Sequence, residues 1–394
     1  MHDDGHIPLR RHALSLSGGD DWLSYEARAR AVATGDLLLL FGQPLGKGDL
    51  LGAIYPGYVY FVGAVHALGG EDLSTVILVH FLLLYAANVM VFRIASRLFD
   101  RDRAAAAVAA VVIIEELAFM RHYTVTLLSE NLYYLTVALT IHALVRFAET
   151  NNRRTLAWAG VMAGVSALVR PAMLVYLGPV TVAVTLQSWR RHRTARAILS
   201  TAALFGVACL LGILPVTLRN YVATGHPTLI LEPATHAFIF YNLPPTADAH
   251  HYLDLDSGGV ISLIRILGQI TLDHPGDMLR VIVTKVGFSF GFIHWMGGKH
   301  HPELLIASAG YFLALLWCPA ARSALALPVH LFVLAHVAGL MLVMPSNYGY
   351  RLVLPIYLFL PIFGVHFVFE TSRWALGLIG RRPIAAVPAA GGHS

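Results

Sequence analysis

The sequence predicts an all-α, polytopic membrane helix bundle of about nine spans with amphipathic helices on its outer face, and three observations lead there. Hydrophobic residues make up 57% of the 394 positions and charged ones 13%, against roughly 45–50% and about 25% in soluble domains. The apolar residues gather in runs of roughly membrane length. Every second loop between those runs is rich in arginine, the bias that orients spanning helices with their basic loops inward. The mean hydropathy of +0.64 agrees. A net charge of +5 and a pI of about 9.2 would suit nucleic acid in a soluble chain. Here the arginines lie between apolar runs, which argues against that partner and for membrane lipids. Cys209 and Cys318 fall in or at the end of apolar runs and suit small buried residues, so neither a disulfide framework nor a thiolate metal site is expected.

Residues 1–72 form an N-terminal outer region. Met1 to Leu16 is polar and lacks the apolar core of a cleavable signal peptide. The adjacent carboxylates Asp20 and Asp21 follow. A pair of acids beside a membrane is either a solvated loop charge or part of a working site, because carboxylates at a bilayer edge are costly unless solvated or used. The stretch from Tyr25 to Ala33 predicts a helix too charged to cross, ending at Gly35-Asp36. Leu50 to Leu68 is apolar but interrupted by Pro56-Gly57, which leaves fewer than the ~20 residues of a crossing. An interfacial helix is expected there, with a weak span as the other reading.

A block of six apolar runs fills residues 73–217, at about 73–97, 104–120, 129–147, 155–169, 172–188 and 197–216. Three more, at about 303–319, 326–345 and 351–370, lie in residues 303–394 ahead of a basic cytoplasmic tail with Arg373, Arg381 and Arg382. Inward loops are marked by Arg93, Arg97, Arg101 and Arg103, by Arg153 and Arg154, by Arg190 to Arg196, and by Arg322. Nine crossings with an inward C-terminus put the N-terminus outside. Either a first helix ahead of Asp20 is missing, which is the expectation, or the 50–68 segment crosses. Residues 218–302 form the one large outer-face segment. Its stretch from Gly225 to Gly259 is rich in Pro, His and Asp. Gly259 to Phe292 has apolar spacing suited to an amphipathic helix broken near Asp273-His274-Pro275.

The expected outward side collects polar groups that are scarce elsewhere. Ser129-Glu130 opens a span, where an acid suits the helix macrodipole or could share a proton, a metal or a sugar hydroxyl with Asp20. Arg170 stands at a tight turn, either snorkelling or offering a cation to an anionic ligand. Arg219 ends a span on that side, within Leu218-Arg219-Asn220-Tyr221, and Tyr350-Arg351 opens the last one. Three outward arginines run against the inward bias together. Guanidinium forks bind phosphate oxygens bidentately, so acids and arginines on one membrane face suggest chemistry on a phosphorylated lipid.

The order of these features resembles the glycosyltransferase C superfamily, closest to the branch of protein O-mannosyltransferases and aminoarabinose transferases. The residues that carry it are Asp20 to Tyr25, Tyr55-Pro56-Gly57-Tyr58, Ser129-Glu130, Leu168-Val169-Arg170-Pro171, Leu218 to Tyr221 and Tyr350 to Pro355, over residues 19 to 370. Each is short, and their sequence along the chain makes the likeness. The resemblance implies an inverting transfer of a sugar from a polyprenyl-phosphate donor, at the outer face of the plasma (inner) membrane, to a glycan, lipid or protein. Asp20 or Asp21 would be the general base, with Glu130 as a further catalytic acid. Arg170, Arg219, Asn220, Tyr221, Tyr350 and Arg351 would bind the lipid phosphate and sugar. It leaves a divalent metal open, Mg or Mn, on Asp20, Asp21 and Glu130, since acidic oxygens suit those ions. The histidines show no spacing for a tight zinc site. A transporter or flippase of lipid-linked or small anionic substrates is the alternative, but inverted repeats are not evident. An acyltransferase or hydrolase lacks a G-x-S-x-G nucleophile motif.

Overall fold

The computed structural model describes residues 21–35, 56–117, 124–125, 128–170, 172–224, 251–252, 259–292, 301–343 and 353–380, with residues 239, 243 and 247. Among the described residues every regular element is a helix. Helix α1 (Asp21–Ala33) stops at Gly35, whose φ of 85° lies in the left-handed region that glycine adopts without a Cβ clash. Helix α2 (Pro56–Gly69) is described from the proline of the predicted break onward.

The bundle proper follows as α3 (Leu73–Leu98), α4 (Arg101–Leu117), α5 (Glu130–Thr150), α6 (Arg153–Val169), α7 (Met173–His192) and α8 (Ala195–Thr224). Next come α9 (Gly259–Asp273) and α10 (Pro275–Ser289), then α11 (Pro302–Trp317), α12 (Leu327–Val343), α13 (Leu354–Tyr357) and α14 (Leu360–Gly380). The predicted apolar runs fall on α3 to α8, α11, α12 and the α13–α14 pair. Among the described residues, Leu73–Leu98, Ala195–Arg219 and Leu354–Leu376 are long and apolar enough to cross a membrane, while Pro302–Trp317 and Leu327–Met341 are apolar but shorter. Helices such as α5 fall below that mark because they carry polar groups for the bundle interior, among them Glu130, Asn131, Thr136 and Thr140, all buried.

Two local breaks have plain causes. The amphipathic segment divides at His274, with Pro275 in the first turn of α10, where its missing N–H costs nothing. The last run is not continuous: α13 ends at Tyr357 and α14 starts at Leu360, because Pro361 has no N–H to donate back to Tyr357. In α10, the buried Lys285 Nζ donates to the Met341 carbonyl of α12 at 2.9 Å. Burial pulls that ammonium down to about 8.

The α6–α8 seam sets the heights of the two helices. Gly160 and Gly164 of α6 face Ala208, Cys209 and Gly212 of α8 so closely that a Cβ on Gly164 would stand 2.3 Å from the Cys209 carbonyl oxygen. A Cβ on Gly160 would meet Ala208 Cβ at 2.7 Å, and one on Gly212 would meet the Val161 oxygen at 2.5 Å. Small residues at four-residue spacing let helix backbones approach in this way. Both helices run in the same direction, with residue 160 beside 208 and 164 beside 212, so Arg170 at the end of α6 is level with Arg219.

At the opposite end, the loops carry the arginines. The tryptophans with described side chains there, Trp158, Trp189, Trp317 and Trp374, are all exposed. They ring the basic end as an interfacial aromatic belt does.

Candidate active site

The far end of the bundle from that belt buries its charges. Glu130, the first residue of α5, is 0% exposed and Arg170, just past α6, is 5% exposed. The Arg170 Nη2 donates to Glu130 Oε1, its Nε to Ser129 Oγ at 3.3 Å, and its guanidinium carbon lies 5.7 Å from the centroid of the Tyr133 ring. Arg170 therefore turns inward. It does not snorkel, and Glu130 is both an acid at a helix N-terminus and the partner of a buried cation. Breaking such a pair costs about 3–5 kcal/mol because one charge stays buried alone.

The α1–α2 pair frames this ion pair. Tyr25 packs edge-on against Tyr58 with ring centroids 4.9 Å apart. A Cβ on Gly63 would fall 2.5 Å from Val32 and 3.0 Å from the Ala29 oxygen. Glu26 accepts from Arg30 at 2.7 Å and sits 3.0 Å from His66 Nε2, while Arg30 also reaches Glu71 at 2.9 Å. Later residues of α1 meet later residues of α2, so the helices run parallel and the Asp21 end of α1 lies beside the Pro56 end of α2. There Gly57 touches α6: its Cβ would lie 2.9 Å from the Leu168 carbonyl carbon, two residues before Arg170.

A buried hydrogen-bonded chain extends the cluster into the bundle. His80 Nδ1 is 3.1 Å from the Thr124 carbonyl and Nε2 is 3.1 Å from the Tyr58 hydroxyl. A carbonyl only accepts, so Nδ1 carries the proton and, in the neutral ring, Tyr58 donates to Nε2. Burial, then the Glu130 and Glu26 charges, hold the Tyr58 phenol well above its usual range. Thr124 Oγ1 donates to Asn131 Oδ1 at 3.3 Å, and the buried Asn131 Nδ2 has no acceptor among the described residues. On the α8 side, burial and the charge of Arg219 lower the Arg28 pKa, so two guanidinium groups stand near each other at the mouth of the cluster.

The structure thus brings Glu130, Arg170 and Arg219 to one end of the bundle, and the start of α1 with them. Asp20 lies outside the described residues, as do Tyr350 and Arg351. Asp21 opens α1 and Asn220 lies in α8, with side chains outside the description. Tyr221 is 56% exposed and sits about 200° around α8 from Arg219, away from the cluster. Among the described residues no group of three or more His, Cys, Asp or Glu could hold a metal ion, and Glu130 is engaged by Arg170. Sequence reasoning missed Arg28, His80 and Asn131. A histidine and an asparagine inside apolar runs are costly there and could have been noticed, whereas Arg28 is one of several arginines on a charged helix.

Residues 55–217 match the family described as dolichyl-phosphate-mannose-protein mannosyltransferase, a stretch running from the start of α2 to the last turns of α8. No curated protein matches the chain in sequence. Among solved structures, ArnT from Cupriavidus metallidurans bound to undecaprenyl phosphate superposes with a TM-score of 0.57 at 14% identity, over 92% of this chain and 58% of that one. The archaeal oligosaccharyltransferase AglB from Archaeoglobus fulgidus, in complex with an inhibitory peptide and a dolichol-phosphate, does so with a TM-score of 0.54 at 14% identity, over 96% of this chain and 49% of that one. The chain spans about half the length of these structural relatives. It has the glycosyltransferase C fold of these polytopic membrane proteins, and residues 55–217 carry the match to the mannosyltransferase family.

Proposed function

We propose that this chain is a membrane glycosyltransferase that moves a sugar from a polyprenyl-phosphate carrier to an acceptor hydroxyl, at the end of the bundle where Glu130, Arg170 and Arg219 gather. The observation that carries the reading is the parallel α1–α2 pair, which sets the Asp21 end of α1 beside Gly57 and so beside the Glu130–Arg170 pair. Support also comes from the fold shared with ArnT and AglB, solved with undecaprenyl phosphate and dolichol-phosphate respectively.

Asp20 or Asp21 takes the proton of the acceptor hydroxyl as its oxygen attacks the anomeric carbon. The bond from that carbon to the phosphate oxygen breaks with inversion, and the polyprenyl phosphate leaves beside guanidinium groups that stabilise its added charge. Arg219 and Arg28 hold the phosphate. Arg170 holds Glu130 fixed behind them. A divalent ion on Asp20 and Asp21 would serve the phosphate in the same sense. The basic loops suit the cytoplasmic side of a membrane, which supports an outer-face location, on the inner membrane, for chemistry at the opposite end.

The test is transfer of radiolabelled sugar from polyprenyl phosphate by protein carrying Asp20→Asn or Asp21→Asn. Loss of a general base should lower turnover by about 10²-fold or more in one of the two, with the melting temperature unchanged. Wild-type turnover by both variants would remove the proposed mechanism.

A further inference from the structure

The basic end holds a hollow that the proposed chemistry does not use. It lies between the ends of α5, α6, α7 and α8, has a volume of about 260 Å³, and is rimmed by Asn151, Arg153, His192 and Thr194 over hydroxyls of Ser188 and Thr201. Its floor is apolar, formed by Phe147, Leu156 and Leu204. We infer that this hollow binds the phosphodiester headgroup of an anionic glycerophospholipid from the leaflet at that end.

Charge comes first. Among the described residues Arg153, Arg154, Arg190, Arg193 and Arg196 have no carboxylate within 4.0 Å, although Arg97 and Arg103 at the same end pair with Glu149, Asp100 and Glu370. Of these, Arg153 lines the hollow itself. Arg153 is held over it by donating to Ser200 Oγ at 3.2 Å, and Asn151 Nδ2 fixes the His192 ring at 3.0 Å from Nε2.

Shape separates a lipid from a free anion. A soluble phosphate has no use for the apolar surface of Phe147, Leu156 and Leu204. A headgroup among the polar rim groups would leave its acyl chains along that surface, as for basic pockets between spanning helices on the cytoplasmic side. The inference does not depend on the sugar-transfer reading. It needs only the membrane setting of the fold.

The experiment is native mass spectrometry of the full chain, stripped of lipid in mild detergent and titrated with phosphatidylglycerol, phosphatidylcholine or inorganic phosphate. Phosphatidylglycerol should be retained about tenfold better than phosphatidylcholine, from about 1 kcal/mol per basic group near the surface. The double variant Arg153→Ala with His192→Ala should lose that preference, while Arg373→Ala, an equal loss of an exposed arginine elsewhere at this end, keeps it. Both substituted side chains are exposed, and unchanged circular dichroism melts show that the fold is intact. Equal retention of the two lipids, a preference that survives in the double variant, or displacement of the lipid by inorganic phosphate overturns the proposal. Loss of the preference in Arg373→Ala does so too, because it would make the effect one of net charge.

Discussion

The two ends of this bundle handle charge in opposite ways. At the basic end, charged groups are many and, apart from the buried Arg103, exposed or half-exposed: Arg97 pairs with Glu149 across two helices, and Arg191 donates to the Ala148 carbonyl at the end of α5 at 2.7 Å. At the other end, Glu130 and Arg170 are buried against each other. The first arrangement orients a protein in a bilayer at little cost to folding. The second is expensive and persists only where the geometry is over-determined, which is the usual mark of a working site. The contrast locates function more sharply than any single residue type.

Removing Arg170 tests that contrast most severely. Arg170→Ala leaves the Glu130 carboxylate buried without its principal cation and should cost about 3–5 kcal/mol, seen as a large drop in the detergent melting temperature. The double variant Glu130→Gln with Arg170→Met should recover much of that stability, because well-packed neutral groups replace a buried pair with little loss. Transfer should stay absent. A double variant that regained activity would mean that the pair serves the fold alone.

A second test concerns how the site is held level. Gly164→Ala puts a methyl 2.3 Å from the Cys209 carbonyl oxygen, so α6 and α8 must separate, at about 1–3 kcal/mol for an overpacked contact. Arg170 and Arg219 then lose their common height, and transfer should fall further than stability alone explains. On the same α8, a methyl at Gly206 would meet nothing within 4 Å, so Gly206→Ala should raise stability by about 0.4–1 kcal/mol. If the two substitutions shifted the melting temperature alike, the seam would not set the register.

Much of this architecture was legible because the bilayer is a simple solvent. Apolar runs of sufficient length and alternating arginine loops gave the order of α3 to α8, and Asp273-His274-Pro275 announced the break between α9 and α10. Glu130, Arg170 and Arg219 were legible as polar groups on the less basic side. What the chain did not disclose was direction. Arg170 at a membrane turn has the same sequence signature whether it reaches for headgroups or turns inward to Glu130, and only the packing of α5 against α6 decides. Tyr58 was visible in the Pro-Gly motif, yet its place between Tyr25, His80 and Glu130 depends on Gly57 and Gly63 letting α2 approach two other helices. Tyr221 shows the reverse case: its neighbour Arg219 faces the cluster, and helical geometry turns Tyr221 away.

The smallest expected effect lies at the basic end, and it calibrates the comparison. The Arg97 and Glu149 side chains are 33% and 25% exposed, and their pair joins α3 to α5 where water and headgroups can replace either partner. Arg97→Ala should therefore cost about 0.2–1 kcal/mol, with the difference shrinking as salt screens the wild-type pair. Transfer should be unaffected, since α3 and α5 are already joined by the buried contacts around Val91, Ile94 and Phe147. A loss as large as that of Arg170→Ala would mean that the basic end also stores its stability in specific ion pairs. The burial of Glu130 and Arg170 would then be a habit of this bundle and no longer a guide to where its chemistry occurs.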